Sequence, residues 1–351
     1  MYYSIQFCRA IAALLVVLFH SGNLAKEKYF GVFAEPVGGL FYFGGEAGVA
    51  FFFVLSGFII HQVHAKEFNR PDKLLLYLRK RAIRVYPTYI LLFMLVYTLA
   101  SLMPTLKDGL PTDVGVLIKS LFLIPQDSKS VGGSGAPVIV VAWSLQYEMF
   151  FYVVFATAFI RRWLFYTVGL ILLAACLLQP LLGTYSFPLS FVSNHLITLF
   201  GLGVLTSIVV NSQLQIRYLQ VLIISAGITF LIIGCWVTEG TPNYIKVITD
   251  IGFGLTSAIL IFALARYETQ YKLNSWIKKA SILGDSSYAL YLIHFPLISV
   301  LSKLCVVILP INTIGAYVAY FILVSGCVFV AVCFHVFLES PMLKFFKHLK
   351  T

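Results

Sequence analysis

The chain has 351 residues, 60% of them hydrophobic and only 11% charged, with a mean hydropathy of +0.92 and a formal net charge of +11 at pH 7. A soluble domain carries roughly a quarter charged residues, so this composition excludes a water-soluble globular protein and points to an all-α, polytopic membrane protein. The basic balance raises the question of a nucleic-acid partner, which the placement of the charges answers.

Apolar runs long enough to span recur at about 5–22, 45–63, 86–104, 138–160, 163–182, 190–210, 219–237, 245–265, 282–301 and 313–337. They predict about ten transmembrane helices in one membrane domain over residues 1–351. The first run lacks a basic segment before it and a small-x-small cleavage site after it, so it reads as an uncleaved helix. An even number of spans puts both termini on one side.

With both termini inside, the cytoplasmic segments hold Lys66, Arg70, Lys73, Arg79, Lys80, Arg81, Arg84, Arg161, Arg162, Arg217, Arg266, Lys272, Lys278, Lys279, Lys344, Lys347 and Lys350. The opposite side holds Lys26, Lys28, Lys107, Lys119, Lys129, Lys246 and Lys303. The bias follows the positive-inside rule. It predicts cytoplasmic termini and accounts for much of the basic charge without a nucleic acid. The longest outer loop, about 105–137, contains the Gly/Ser/Pro stretch "VGGSGAP", expected to be flexible. The six cysteines (Cys8, Cys176, Cys235, Cys305, Cys327, Cys333) are scattered through apolar stretches with no paired spacing, so neither a disulfide framework nor a metal site is expected.

Ionisable residues at membrane depth are costly and therefore candidates for function. In "FCRAIAALLVVLFHSG" (7–22), Arg9 and His20 are eleven residues apart. That is about three helical turns, so both lie on nearly one face, roughly 16 Å apart. From spacing alone two readings stand: a snorkelling arginine with an interfacial histidine, or a functional pair. "GGEAGVAFFFVLSGFII" (44–60) places Gly44, Gly45, Gly48, Ser56 and Gly57 in an otherwise bulky helix, which suits close helix packing. In "YLRKRAIRVYPTY" (77–89), Arg79, Lys80, Arg81 and Arg84 crowd the inner end of the third helix. Arg81 and Arg84 share a face, and two guanidiniums on one face suit bidentate phosphate recognition.

"WSLQYEMFFY" (143–152) places Glu148 inside the fourth helix, where a carboxylate needs a partner; His20, Arg9 and His294 are the candidates. "LGDSSYALYLIHFP" (283–296) places His294 in the ninth helix, with Tyr291 one turn before it and Ser287 two. His61, His64, His195 and His335 lie near helix ends and read as structural.

Taken in order, these stretches resemble acyltransferase family 3, integral membrane proteins that O-acetylate bacterial surface polysaccharides. The resemblance rests on Arg9 and His20 as R-x10-H, on "GVAFFFVLSGF" (48–58), on Arg81, Arg84 and Pro87 as R-x-x-R-x-x-P, on "WSLQYEMFFY" and on "SYALYLIHFP". The opening "SIQFCRAIAALLVV" looks most like the exopolysaccharide-production branch. Residues 160–280 carry little of the resemblance beyond hydrophobicity. The extra extracytoplasmic hydrolase-like domain of some relatives is not expected here.

The resemblance implies a bacterial inner-membrane enzyme that takes an acyl group, usually acetyl, from cytoplasmic acyl-CoA. The acceptor is a hydroxyl of a surface polysaccharide or lipid-linked oligosaccharide. Acyl-CoA is then a donor substrate, with membrane lipids as surroundings, no tightly bound cofactor, no metal and no nucleic acid. His20 is expected to act as general base on the acceptor hydroxyl, in preference to a transient acyl carrier. Glu148 would orient and stabilise its imidazole. Arg9, Arg81 and Arg84 would bind the donor's phosphates. Ser144, Tyr288, Tyr291 and His294 would line the acyl or acceptor path. The roughly 16 Å between Arg9 and His20 is comparable to the reach of a phosphopantetheine arm. A transporter for a lipid-linked sugar, or a passive subunit of an export complex, would have a similar helix count.

Overall fold

The computed structural model describes residues 2–103, 109–183, 185–212, 214 and 216–348. Lys107 and Lys350, both used in the charge comparison, lie outside the described residues, as does part of the 105–137 loop.

The described chain is helical, with no strand among the described residues. This is the form lipid imposes, because a helix satisfies its backbone polar groups internally. The main helices are α1 (Tyr3–Ser21), α2 (Glu35–Leu40), α3 (Gly44–His64), α4 (Leu74–Leu102), α5 (Val114–Leu121), α6 (Trp143–Ile160) and α7 (Arg162–Leu182). They continue with α8 (Leu196–Val210), α9 (Leu219–Gly234), α10 (Asn243–Gln270), α11 (Ser275–Asp285), α12 (Ser287–Ile308), α13 (Thr313–Phe334) and α14 (Ser340–His348). Among the described residues, nine helical segments are long and apolar enough to cross a bilayer. The protein is thus an all-α polytopic membrane protein. The tenth expected span is α9, whose 16 residues reach about 24 Å, short of the roughly 30 Å hydrocarbon core.

Two boundaries differ from the sequence reading. The third helix begins at Leu74 rather than near 86 and runs on through Pro87. Arg79, Lys80, Arg81 and Arg84 interrupt the hydropathy but are good helix formers, so charge marks no break in the backbone. The ninth expected span is divided at Ser286 between α11 and α12.

The chain forms two compact units, Met1–Gln62 with Leu199–Phe337, and Val63–Thr198 with Leu338–Thr351. In the first unit α1 packs against α10, α11, α12 and α13. Its buried residues Ala12, Ala13, Val16 and Val17 form one small-residue face. The start of α1 is held by Glu268, whose carboxylate accepts from the Tyr3 and Ser4 backbone N–H groups at 2.8 and 3.0 Å and from Ser4 Oγ at 2.6 Å. It thereby caps free helix donors with a favourable charge. Near the other end, Tyr320 Oη donates to the Leu18 carbonyl at 2.7 Å. In the second unit α6 packs on α7 and α4, and α14 packs on α4. Asn69 Oδ1 accepts from the first N–H of α7, that of Arg162, at 2.7 Å.

Within the "VGGSGAP" stretch, Gly132 and Gly133 are exposed, whereas Ser134 and Gly135 are hydrogen-bonded to neighbouring segments. Gly132, Gly133 and Gly135 have φ of +80°, +58° and +82°, a region that favours glycine. Gln146 Nε2 donates to the Gly135 carbonyl at 3.0 Å, and Ser134 Oγ donates to the Val140 carbonyl at 2.7 Å.

The small residues of α3 serve close packing. A Cβ on Gly48 would lie 2.7 Å from the Ala12 carbonyl oxygen of α1, and one on Gly57 would collide with the Phe200 carbonyl of α8. Gly57→Leu is therefore expected to destabilise the first unit by about 1–3 kcal/mol or more through overpacking. Gly201→Ala, which adds a Cβ where nothing lies within 4 Å, is expected to leave stability nearly unchanged. Thermal unfolding of the two detergent-solubilised variants checks the contrast.

Candidate active site

In the first unit the structure brings His20 and His294 together although they are far apart in sequence. Their rings stack with centroids 5.0 Å apart and planes 11° from parallel. Phe19 lies 4.8 Å from the His20 ring and Phe295 packs edge-on at 5.2 Å. Tyr291 lies 5.8 Å from His294, as one helical turn of separation requires, and meets Phe52 of α3 edge-on at 6.2 Å. His294 is 0% exposed. Its Nδ1 is 3.0 Å from the Leu290 carbonyl. A carbonyl only accepts, so Nδ1–H is the donor and the neutral ring keeps a lone pair on Nε2. That buried Nε2 has no hydrogen-bond partner among the described residues. A buried polar atom left in this way is unusual outside functional sites. Tyr288, the other expected residue of α12, is half-buried.

Arg9 sits eleven residues before His20 in the same unbroken helix, so the roughly 16 Å rise between them holds. Its Nη1 donates to Gln6 Oε1 at 2.6 Å, and Gln6 Nε2 donates to Asp285 Oδ1 at 2.7 Å. Gln6 is buried. It links the guanidinium to a carboxylate at the end of α11. The sequence reading missed Gln6 and Asp285. Asp285 stood inside the quoted stretch 283–296, but its link to Arg9 depends on the packing of α11 against α1. Gly284 permits that packing, since any Cβ there would strike the Gln6 carbonyl.

The second unit gathers Arg81, Tyr77, Tyr152, Glu148, His64 and Glu67. Tyr77 and Arg81 are one turn apart on α4. The Arg81 guanidinium carbon lies 5.8 Å from both the Tyr77 and Tyr152 ring centres, cation–π distances. Tyr77 Oη donates to the Tyr152 carbonyl at 3.1 Å. Glu148 accepts a short hydrogen bond from Tyr152 Oη, a hydroxyl of its own helix one turn on. Tyr152 therefore joins the two charged residues: its ring faces Arg81 and its hydroxyl holds Glu148. Tyr152 was not among the expected partners of Glu148, and only its i, i+4 spacing could have indicated it.

His64, read from sequence as structural, stands beside Arg81, with Arg81 Nη2 3.3 Å from its Nε2. Arg84 follows one turn later on α4 and is half-buried. Ser144 is buried at the start of α6 and donates to the Val141 carbonyl at 3.2 Å. Of the remaining histidines, His61 meets Ser207 Oγ at 2.9 Å in the first unit. His20 belongs to the first unit and Glu148 to the second.

These arrangements supply two kinds of chemistry. A pair of imidazoles, one with an available lone pair, can accept a proton or orient a hydroxyl. A guanidinium braced by two aromatic rings can hold an anionic oxygen.

No solved structure matches the chain significantly. The ExoZ protein of Rhizobium meliloti (strain 1021), an exopolysaccharide production protein, is 30% identical over 317 residues, which cover 86% of this chain and 90% of its own. A Staphylococcus aureus (strain COL) protein, provisionally named an O-acetyltransferase, is 26% identical over 370 residues, covering 96% of this chain and 56% of its own. The chain thus spans about half the length of that second relative. The family described as "Acyltransferase domain", acyltransferase family 3, matches residues 2–335. That match takes in the Arg9–His20 helix, the Arg81 cluster and the His294 helix together, and the chain belongs to this family of membrane acyltransferases.

Proposed function

We propose that the protein is an O-acetyltransferase that moves an acetyl group from cytoplasmic acetyl-CoA to a sugar hydroxyl of an extracytoplasmic or lipid-linked surface polysaccharide. The observation that carries the reading is the stacked pair of His20 and His294, with a buried Nε2 lone pair on the second ring. The name of the Rhizobium relative and the charge bias of the loops support the acceptor class and an inner-membrane location with cytoplasmic termini.

His20 acts as general base. It takes the proton of the acceptor hydroxyl as that oxygen adds to the thioester carbonyl; the C–S bond then breaks and the proton passes to the CoA thiolate. His294 accepts a hydrogen bond from the sugar through Nε2 and orients it, with Tyr288 and Tyr291 beside it on α12. On the same helix as His20, Arg9 is the cationic anchor, held by Gln6. In the second unit, Arg81 and Arg84 bind phosphate oxygens of the donor, Glu148 balances their charge through Tyr152, and Ser144 lines the acyl path.

The test is NMR of surface glycan from wild type, a deletion strain and the complemented strain. One O-acetyl signal should disappear on deletion and return on complementation. An unchanged glycan acyl content in the deletion strain would overturn the assignment.

A further inference from the structure

We propose that His64, held by Glu67, is the positioning residue that fixes the Arg81 guanidinium for the donor. The inference rests on the reading of Arg81 as a phosphate-binding residue. His64 is the last residue of α3, and Glu67 lies in the turn that follows. His64 Nδ1 is 2.5 Å from Glu67 Oε2, and Arg81 Nη2 is 3.3 Å from His64 Nε2.

The hydrogen-bond chemistry leaves one arrangement. A carboxylate only accepts, so Nδ1–H donates to Glu67. A guanidinium only donates, so Nε2 must present its lone pair to Arg81. Glu67 thereby selects the tautomer that can receive Arg81. The other neutral tautomer would face Arg81 with an N–H, and so would the imidazolium, with like charge added.

The ring is also held sterically. His64 is 1% exposed, with Tyr77 edge-on at 5.2 Å and Phe159 at 5.8 Å. Arg81 is therefore braced on two sides, by an imidazole acceptor at Nη2 and by the rings of Tyr77 and Tyr152 at 5.8 Å. Its buried Nε–H has no acceptor among the described residues. A guanidinium fixed at one nitrogen and on its faces keeps a donor edge in a set direction. Such pre-organisation reduces the ordering cost of binding an anionic oxygen.

The test uses the full-length purified enzyme, with steady-state kinetics in acetyl-CoA and calorimetric binding of coenzyme A. His64→Phe keeps the ring packing and removes both nitrogens. It is expected to raise the acetyl-CoA KM by about tenfold, the order of one lost hydrogen bond to a charged group, with kcat changed less than about twofold. His64→Gln, which returns an acceptor near the Nε2 position, is expected to recover most of the loss. In an Arg81→Ala background His64→Phe should add little, because the two residues act as one unit.

Glu67 gives a second route that does not disturb the buried ring. Glu67→Leu should raise KM, and Glu67→Gln, which retains an acceptor, should raise it less. If Arg81→Ala raises KM while His64→Phe does not, or while Glu67→Leu and Glu67→Gln behave alike, the positioning role is overturned and the reading of Arg81 stands. Should Arg81→Ala itself leave KM and coenzyme A binding unchanged, the underlying reading fails. Equal losses of kcat and thermal stability in His64→Phe, without recovery in His64→Gln, would make His64 merely structural.

Discussion

Replacing His20 by alanine is expected to lower kcat by about 10²–10⁴, the usual contribution of a positioned general base, while leaving the acetyl-CoA KM within about twofold. A base at this position would act on the acceptor oxygen as it attacks, so its loss would raise the barrier without removing donor contacts. The ring is half-buried and stacked on His294 rather than set in the packed face of Ala12, Ala13, Val16 and Val17. Thermal stability should therefore fall only modestly, and a melt of the variant checks that the loss is catalytic. Removing His294 as well should cost less than the product of the single losses, because both imidazoles would engage the same hydroxyl. The choice between base and acyl carrier is read from CoA release without acceptor. A base gives none, whereas a carrier gives a burst of one equivalent. A His20→Ala enzyme retaining wild-type kcat would remove His20 from the chemistry.

The second large effect is expected at Arg81. Arg81→Ala should raise the acetyl-CoA KM by about a hundredfold, as expected when a charge-assisted contact to phosphate is lost from a partly buried site. Arg81→Lys should recover only part of this, since an ammonium cannot reproduce a planar fork braced by aromatic faces. Wild-type KM should also rise with ionic strength, and less so in Arg81→Ala, because salt screens the attraction between guanidinium and phosphate. Kinetics at two salt concentrations on the three proteins decide it. An Arg81→Ala enzyme with wild-type KM and an unaltered salt response would place the donor's phosphates elsewhere.

These two residues also separate what was legible in the chain from what was not. The spans were readable because hydropathy is a local property and the bilayer sets a minimum length. The spacing of Arg9 and His20 was readable for a similar reason, since the rise of a helix is a constant. Where local rules compete, hydropathy misplaces the boundaries. The charges at 79–84 hid the early start of α4, and the break at Ser286 lay within one apolar stretch. The glycines of α3 announced close packing, but not that Gly48 meets α1 and Gly57 meets α8.

The sequence by itself determined an all-helical membrane protein and the family it resembles, and it offered candidate residues for the chemistry. Those follow from composition, periodicity and short motifs, all of which act over neighbouring residues. Only the tertiary structure decided which of those residues meet. His20 stacks on His294, Arg9 reaches Asp285 through Gln6, and His64 stands between Glu67 and Arg81. The physical reason is that a buried charge or imidazole needs some partner, but no local rule names it. The partner is whichever complementary group the packing of distant helices brings within hydrogen-bond reach.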